Sequence, residues 1–414
     1  MTQSETIGVV GDDLNPGRGE MPLDGIRVLD LSSLLAGPMT AMHLGDFGAD
    51  VVKVEQPGRG DELRSWGLSK DGVPLMFKLA NRNKRAITLN LREPAGQEIA
   101  RRLAARSDIV VENFRPGTLE RWGLGYETLA SLNPKIVMAR ITGYGQTGPY
   151  SSKRGFGTIG EGLSGFAAVT GMEGGPPLLP TFGLGDTSTA IFGAYAIMLA
   201  LYRAERTGKG QYVDLALFDG LITLLGSHVV DFDQLGVIQE RVGSRSAFVA
   251  PRNIYPTGDG QWIVLAGSTQ RTFVAIVEAL GIGWMADDPR FRTNSDRIKN
   301  VEELDRLIAE KLSLLTRAEI METLGSSGAA VGPIFDVSDV VSDPHMRSRS
   351  TVVEVEDQEL GTLTMQNVSV RLSETPGSIR WAGPALGSHN VEVLQGELGL
   401  TEEEMARLSK EGVC

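Results

Sequence analysis

The regular alternation of short apolar runs with helical stretches, from Leu23 to about residue 217, constrains the fold most. The apolar runs at residues 26–31 and Asp50–Glu55 have the length and composition of strands that are buried on both faces. Helical patterns separate these and the later runs, and strands alternating with helices of this length form βαβ units. The sequence therefore predicts an α/β fold with a mostly parallel sheet.

The predicted elements change in character after about residue 230. The first part contains strands at 26–31, 50–55, 108–111, 135–141 and 211–217, and helices at 37–47, 94–106, 126–132 and 187–205. The second part contains a hairpin at 253–266, helices at 270–280 and 301–314, antiparallel strands within 351–368 and a helix at 401–410. We predict a smaller α+β domain at 230–345 and a disordered tail at 1–20, which lacks the pattern of a secretory signal.

Composition and charge exclude several classes of function. The net charge of −12 argues against a nucleic-acid-binding surface, which requires a basic stripe. The single cysteine, Cys414, leaves no internal disulfide, which agrees with a reducing cytoplasm. The apolar run at 190–201 is too short to span a bilayer and predicts a buried core helix, so no membrane partner is expected. The histidines are far apart and have no metal-ligand spacing, so we expect no metal.

The loop after the first strand decides against a dinucleotide cofactor. Glu55 ends the second strand, as an acidic residue does in nicotinamide-binding domains. However, the loop at 32–37 reads SSLLAG and lacks the GxGxxG spacing that lets the backbone approach a pyrophosphate. The helix that begins near Gly37 is either part of a packed βα turn or a receptor for an anionic group at its free N–H donors.

Basic residues are densest at 81–85, which reads NRNKR and precedes an apparent strand at 86–91. Arg115 and Arg121 follow a strand of the predicted parallel sheet, at the edge where open α/β sheets bind ligands. Arginine and lysine in such positions suit phosphate groups. The alternative for the 81–85 cluster is a solvated loop.

Two interpretations compete at Asp186, which follows two glycines and precedes the long apolar helix. As a helix N-cap, Asp186 would accept hydrogen bonds from the N–H groups of Ser188 or Thr189. As a covalent nucleophile, it would be held ionised beside free helix donors, and those donors would stabilise an oxyanion. Local sequence leaves both interpretations open.

Eight stretches, taken in order, resemble the class III CoA-transferases, the family that includes formyl-CoA and carnitine CoA-transferases and the α-methylacyl-CoA racemases. They are PLDGIRVLD (22–30), AGP (36–38), LGDFGADVVKVE (44–55), NKR (83–85), VENFRPG (111–117), GYGQTGP (143–149), RTGKGQ (206–211) and GPALGSHN (383–390). The resemblance implies a Rossmann-like, CoA-binding large domain built from both chain ends, at 21–229 and 346–414. It also implies an intertwined homodimer.

The resemblance further implies the chemistry and the residues of the site. Asp186 would attack the acyl-CoA to form an aspartyl anhydride and then an aspartyl-CoA thioester, from which a carboxylic acid takes the CoA. Acyl-CoA is then a substrate, and no permanently bound cofactor is needed. The matching CoA-binding positions are Ser33, Leu34, Leu35, Ala36, Asn83, Lys84, Arg85, Asn113, Phe114, Arg115 and Arg121, and the substrate positions are Tyr144 and Gln146.

Departures from the family narrow the expected reaction. Phe156 stands where the racemases have their proton-abstracting histidine, and phenylalanine cannot move a proton, which favours transfer over racemisation. Ser33 and Leu35 replace a histidine and a glutamine of the formyl-CoA branch, and the glycine loop of that branch has no obvious match. These replacements argue against the oxalate or formate specificity of that branch. From the breadth of the family, the resemblance implies a dicarboxylic acid as acceptor with succinyl-CoA as donor. The alternatives are a racemase-like isomerase and a non-catalytic CoA-binding protein.

Overall fold

The computed structural model describes residues 21–414, which form two compact units. The first comprises residues 21–166, Leu179–Gly226 and Pro344–Cys414, and the second comprises Ala167–Leu178 and Ser227–Asp343. The predicted tail at 1–20 lies outside the described residues. The C-terminal residues Pro344–Cys414 belong to the first unit.

The secondary structure follows the predicted order, with shifts of a few residues at the ends. The strands are β1 (Arg27–Asp30), β2 (Asp50–Glu55), β3 (Ser69–Lys70), β4 (Val73–Pro74), β5 (Lys84–Thr88), β6 (Ile109–Glu112), β7 (Val137–Thr142), β8 (Gln211–Ala216), β9 (Arg252–Pro256), β10 (Trp262–Ala266), β11 (Ala330–Pro333), β12 (Val352–Asp357) and β13 (Gly361–Gln366). The helices are α1 (Ala36–Gly45), α2 (Leu75–Ala80), α3 (Pro94–Ala104), α4 (Thr118–Arg121), α5 (Tyr126–Leu132), α6 (Gly157–Leu163), α7 (Phe166–Val169), α8 (Leu184–Thr207), α9 (Asp219–Leu224), α10 (His228–Leu235), α11 (Gln270–Ala279), α12 (Asn294–Lys299), α13 (Val301–Leu312), α14 (Arg317–Ser327), α15 (Val337–Ser342), α16 (Pro344–Ser348) and α17 (Glu402–Lys410).

A six-stranded parallel sheet organises the first unit, with the strand order β5-β2-β1-β6-β7-β8. Its four central strands, β2, β1, β6 and β7, are mainly apolar runs buried on both faces, because helices cover the sheet on either side, whereas much of the edge strand β8 is exposed. The strand order reverses direction at β1, which pairs with β2 on one side and β6 on the other. Open α/β sheets bind ligands at the carboxyl ends of the strands beside such a reversal. The predicted parallel sheet is confirmed, and its topology directs attention to the loops after β1 and β6.

The end of the chain covers the sheet edge at β5. The N–H of Asn83 donates to Trp381 O at 3.0 Å, and the N–H of His389 donates to Ala86 O at 3.0 Å. The side-chain oxygen of Asn390 accepts from the N–H of Thr88 at 2.8 Å. These contacts satisfy backbone groups that an exposed edge strand would leave unpaired. The α17 helix packs its buried Leu408 into the core on one face of the same sheet.

The second unit contains a three-stranded antiparallel sheet, β11-β10-β9, and the predicted 253–266 hairpin forms its β9 and β10 strands. Residues 167–178, which the prediction placed in the large domain, belong to this unit. Arg241 holds them, since its guanidinium donates to Ala168 O at 2.8 Å and Gly175 O at 3.0 Å. Contacts between such distant residues leave no local pattern in the sequence.

The α8 helix connects β7 to β8 and packs against α1 in the first unit. By length and composition it is apolar enough to cross a membrane, but its packing on the sheet is that of a crossover helix in an α/β fold. The predicted buried core helix is buried on one face only. One face carries exposed apolar side chains at Ile191, Tyr195, Leu199 and Tyr202, and 44% of the apolar window is buried.

Candidate active site

The loops after β1 and β6 meet at the carboxyl edge of the sheet. The N–H of Ser33 donates to Asn113 Oδ1 at 2.9 Å, and Asn113 Nδ2 donates back to Ser33 O at 2.7 Å. Leu34 has a left-handed backbone conformation with a φ of 66°, and its N–H donates to Asp61 Oδ1 at 2.9 Å. Ala36 begins α1 and is buried. The structure therefore brings Ser33, Leu34 and Asn113 together, and these three contacts fix the shape of the loop.

Buried lysines lie beneath this loop. Lys53 Nζ donates to Ser32 O at 2.9 Å and pairs with Asp61 Oδ2 at 2.8 Å. Lys84 Nζ donates to Asp30 Oδ2 at 2.8 Å, Pro38 O at 2.7 Å and Asn81 Oδ1 at 2.9 Å. All three N–H donors of Lys84 are thus occupied by the protein, and its side chain is fully buried.

The polar groups of Asn83, Lys84 and Arg85, the expected CoA contacts, are engaged within the protein. The β5 strand begins at Lys84 rather than at residue 86, so the backbone of these residues lies at the amino end of the strand, whereas the Lys84 side chain reaches Asp30 and Pro38 beneath the β1 loop. Asn83 Nδ2 donates to Asp46 Oδ1 at 2.8 Å, and Arg85 pairs with Asp50 at 2.7 Å and also with Glu397. Their polar groups hold the protein together.

In the loop after β6, by contrast, the arginine side chains are exposed to solvent. Arg115 is exposed, and its guanidinium makes no hydrogen bond or ion pair with the residues that the structure describes. Arg121 donates to Thr118 Oγ1 at 3.1 Å and is also exposed. The Phe114 ring packs edge-on against Trp122, with the ring centroids 5.1 Å apart. Both arginines therefore remain available to an anionic ligand.

Glu112 anchors this loop from below. Its Oε2 accepts from the N–H of Phe114 at 2.8 Å, and its Oε1 accepts from Arg140 Nε at 2.8 Å. Burial raises the pKa of Glu112 to about 7, although the hydrogen bond and charge of Arg140 act in the opposite direction. The side chain thus fixes the backbone just after Asn113, and sequence analysis did not single it out.

Asp186 is not the N-cap of α8. The helix begins at Leu184 with Gly183 as its N-cap, so Asp186 lies inside the first turn and its side chain does not cap the helix. The predicted helix start at 187 was late by three residues, because Gly183 and Gly185 do not look helical in the sequence. A methyl group built at Gly183 would lie 3.3 Å from both Leu35 Cδ1 and Asp186 Oδ2. Leu35 and the Asp186 carboxylate therefore flank the same glycine, which links the β1 loop to this residue.

Gly157, the first residue of α6, contacts the Asp186 carboxylate directly. A methyl group built at Gly157 would lie only 2.2 Å from Asp186 Oδ2, so no other residue fits here without a shift. Gly143 and Gly155 also approach closely, since a methyl group at Gly143 would lie 2.6 Å from the Cα of Gly155. These glycines allow the segment after β7 to pack against the start of α8.

Burial and a neighbouring acid set the protonation of Asp186. Its pKa is raised to about 6, first by burial and then by the charge of Glu161, while the backbone N–H of Gly157 acts in the opposite direction. Glu161 Oε1 accepts from the N–H of Gly185 at 3.0 Å. Asp186 is therefore held closer to neutrality than expected, and one of the expected free helix donors is occupied. Glu161 was missed, and a lone acid between Gly160 and Gly162 was its only signal.

The remaining predicted residues lie in the segment after β7. Tyr144 packs against Gly155, and its ring meets Tyr150 edge-on at 5.8 Å. The backbone N–H of Gln146 donates to Asp214 at 3.0 Å, which places Gln146 against β8. Phe156 precedes α6 and is exposed, so no proton-transferring side chain occupies that position. Within residues 21–414, no three histidine, cysteine or acidic side chains are grouped to hold a metal.

The structure thus places the Asp186 carboxylate beside Leu35 of the β1 loop, at the carboxyl edge of a parallel sheet. The family model of CoA-transferase family III matches residues 23–390. The chain belongs to this family. The class III CoA-transferase resemblance is thereby confirmed, and the protein is an enzyme that acts on CoA thioesters.

Relatives of the enzyme cover its whole length. The succinyl-CoA–D-citramalate CoA-transferase of Chloroflexus aurantiacus is 44% identical over 96% of this chain and 99% of its own. The beta subunit of the succinyl-CoA–L-malate CoA-transferase of the same organism is 39% identical over 95% and 98% of the two chains. The crystal structure of a CAIB/BAIF family protein from Brucella suis matches with a TM-score of 0.81 and 34% identity, over 91% and 99% of the two chains.

Proposed function

We propose that this enzyme transfers CoA from succinyl-CoA to a dicarboxylic acid, with Asp186 as the covalent nucleophile. The observation that carries the proposal is the placement of the Asp186 carboxylate in the first turn of α8, against Gly157 and beside Leu35 of the β1 loop. The names of the two Chloroflexus relatives support the donor and the acceptor class, because citramalate and malate are both dicarboxylic acids.

The proposed reaction begins when a carboxylate oxygen of Asp186 attacks the acyl carbon of succinyl-CoA. The carbon–sulfur bond breaks, and its electron pair leaves on the sulfur, which gives an aspartyl succinyl anhydride and CoA thiolate. The thiolate attacks the aspartyl carbonyl, which forms the aspartyl-CoA thioester and releases succinate. The acceptor carboxylate repeats these two steps in reverse order, so the new acyl-CoA forms and Asp186 is regenerated.

Each proposed step exchanges one anion for another, and no proton has to move. This charge balance agrees with Phe156 at the position where a racemase needs a base. A half-buried carboxylate with a pKa of about 6 can serve the reaction, because at neutral pH most of it is ionised and ready to attack. The energy of the thioester is kept in the covalent intermediates throughout.

We place the CoA over the carboxyl edge of the sheet, along the loop of Ser33 to Ala36 and the loop after β6. The exposed guanidinium groups of Arg115 and Arg121 would bind its phosphates, since arginine offers paired donors to phosphate oxygens. Asn113 joins the two loops and would hold the pantetheine arm between them.

The decisive experiment incubates the purified enzyme with a matrix of acyl-CoA donors and mono- and dicarboxylic acids, and identifies the acyl-CoA products by mass spectrometry. We expect succinyl-CoA to be the best donor and dicarboxylic acids to be the best acceptors. In parallel, succinyl-CoA and hydroxylamine are added without acceptor, and the peptide that contains Asp186 is examined for a hydroxamate. Turnover by Asp186→Ala at the rate of the unaltered enzyme would refute the covalent role, and transfer only to monocarboxylic acids would refute the acceptor class.

We also propose that the enzyme is an interlocked homodimer. The exposed face of α8 supports this, because Ile191, Tyr195, Leu199 and Tyr202 form an apolar stripe at helical spacing that a single chain leaves in water. Light scattering on the purified chain should give twice the mass of 44.5 kDa. A monomer, or a stable complex only with a second and different subunit, would contradict the proposal.

A further inference from the structure

Two acidic side chains meet at the start of α8, and only one of them is the proposed nucleophile. Glu161 lies on α6, is 2% exposed, and accepts from the N–H of Gly185, the residue before Asp186. Neither Glu161 nor Asp186 forms an ion pair with a lysine, arginine or histidine in the part of the chain that the structure describes. Buried acids are normally paired, so an uncompensated pair at this position calls for a reason.

We propose that Glu161 is a positioning residue that holds the first turn of α8 and keeps a second negative charge beside the nucleophile. This inference rests on the proposed role of Asp186 and adds to it a group that does not touch the substrate. Glu161 acts in two ways, through its hydrogen bond to Gly185 and through its charge.

The hydrogen bond fixes both the turn and the charge. Gly185 packs so closely on α6 that a methyl group there would lie 2.6 Å from Gly157 O, which leaves its N–H pointing to Glu161. An N–H donor at a helix start favours the ionised form of a carboxylate. Through this hydrogen bond the Glu161 side chain is held next to the first turn of α8, where its charge adds to burial in raising the pKa of Asp186.

The charge acts on the free enzyme and not on the acylated enzyme. Attack on the thioester converts the Asp186 carboxylate into a neutral anhydride, and the negative charge leaves with the CoA sulfur. Repulsion between Glu161 and Asp186 is present before this step and absent after it. Glu161 thus raises the energy of the ionised nucleophile without raising that of the intermediate, which lowers the barrier to acylation.

Other charges do not explain the effect. The elements packed against α8 include α1, α6, β7, β8 and α9. Besides Glu161, their titratable residues are His43, Arg140, Tyr212, Asp214 and Asp219. The Tyr212 ring packs edge-on against Tyr126. His43 responds to Asp46, Arg82 and Lys84, Arg140 pairs with Glu112 and Glu120, and Asp214 acts on Asp219. The charge that acts on Asp186 is that of Glu161.

The test compares Glu161→Gln, which keeps an oxygen acceptor for Gly185 but removes the charge, with Glu161→Ala, which removes both. Glu205→Gln is the matched control, because it removes an exposed charge from the other end of α8. For each variant, kcat and KM for succinyl-CoA are measured between pH 5 and pH 9. The pKa of Asp186 in Glu161→Gln should fall, so the acid limb of kcat/KM should move to lower pH.

At pH 8, where Asp186 is ionised in every variant, kcat of Glu161→Gln should fall about tenfold with KM changed less than about twofold. Glu161→Ala should lose about 100-fold, and Glu205→Gln should match the unaltered enzyme. An unshifted acid limb in Glu161→Gln, or a rise in KM at constant kcat, would overturn the inference. If either of these outcomes is found while Asp186→Ala is inactive in the same assays, only the role of Glu161 is refuted, and the proposed function is left intact.

Discussion

Two carboxylates near the same edge of the sheet, one buried and one half-buried, have opposite electrostatic surroundings. Asp30, at the end of β1, is fully buried and lies 2.8 Å from Lys84 Nζ and 3.9 Å from Lys53 Nζ. Burial acts to raise its pKa, but the two ammonium groups outweigh it and lower the pKa below its usual value. Asp186, at the start of α8, has a second acid as its charged neighbour, and its pKa rises to about 6.

The comparison distinguishes a carboxylate whose charge stabilises the fold, Asp30, from one whose charge is available for the proposed reaction, Asp186. The Asp30 network fixes the floor of the β1 loop, since Lys53 and Lys84 also donate to Ser32 O and Pro38 O. A carboxylate held by two cations is a poor nucleophile, because attack would break those contacts. The acid that lacks a cation is the one the reaction can use, and substitutions in each region should therefore give opposite results.

The largest effect is expected from Asp186→Asn. Transfer should fall at least about 10³-fold, because the amide cannot form the anhydride. The substitution should not lower the stability of the folded protein. The pKa of Asp186 is about 6 in the folded protein, against an ordinary value of 3.8, so ionisation of Asp186 destabilises the fold increasingly as pH rises through this range and to its full extent above it. Asn should thus raise the melting temperature by about 2–4 °C at pH 8 and much less at pH 4, measured by calorimetry. A lower melting temperature at pH 8 would contradict the uncompensated charge.

Lys84→Met tests the other region and should act on stability. Removing the ammonium leaves Asp30 buried beside only the more distant Lys53, and breaking a buried pair costs about 3–5 kcal/mol of unfolding free energy. Denaturant unfolding measures this cost. Lys135→Met is the matched control, because Lys135 is exposed and pairs with Glu205 only at 3.7 Å, so its loss should cost less than about 0.5 kcal/mol. Equal costs for the two variants would show that the buried network does not stabilise the fold.

The sequence predicted the parallel sheet better than it predicted the side-chain contacts around Asp30 and Asp186. Buried runs such as Asp50–Glu55 predicted the parallel sheet, because strands covered on both faces must be apolar. The resemblance predicted Lys84 as a CoA contact, but the burial of its ammonium against Asp30 follows from the pairing of β5 with β2, which the sequence does not show. The role of Asp186 came from the resemblance, but Glu161 and Gly157 reach it only through the packing of α6 on α8. Contacts of that kind have no local signature.

Gly157→Ala probes the packing that sets the position of the nucleophile. Its added methyl group would meet Asp186 Oδ2 at 2.2 Å, so the carboxylate must move. A displacement of this size should lower kcat about 100-fold while the fold is kept. Gly162→Ala, one turn further along α6, is the control, since a methyl group there meets nothing within 4 Å. It should leave kcat unchanged and stabilise the helix slightly. Similar activity in the two variants would show that the close contact does not matter.

The smallest effect is expected at Arg115, the proposed phosphate-binding residue. Substitution of Arg115, set beside substitution of Arg85, compares the carboxyl ends of the strands with their amino ends. Arg115→Gln should raise the KM for succinyl-CoA about tenfold with little change in kcat, because a free guanidinium at the carboxyl edge contributes to binding and not to the reacting bond. Arg85→Gln should leave that KM unchanged, since Arg85 is committed to Asp50 and Glu397 at the amino end of β5. Steady-state kinetics on both variants show whether the CoA phosphates bind at the carboxyl or the amino ends of the strands. A higher KM for Arg85→Gln alone would instead place the CoA phosphates at the amino ends of the strands and would support the expected CoA contacts at residues 83–85.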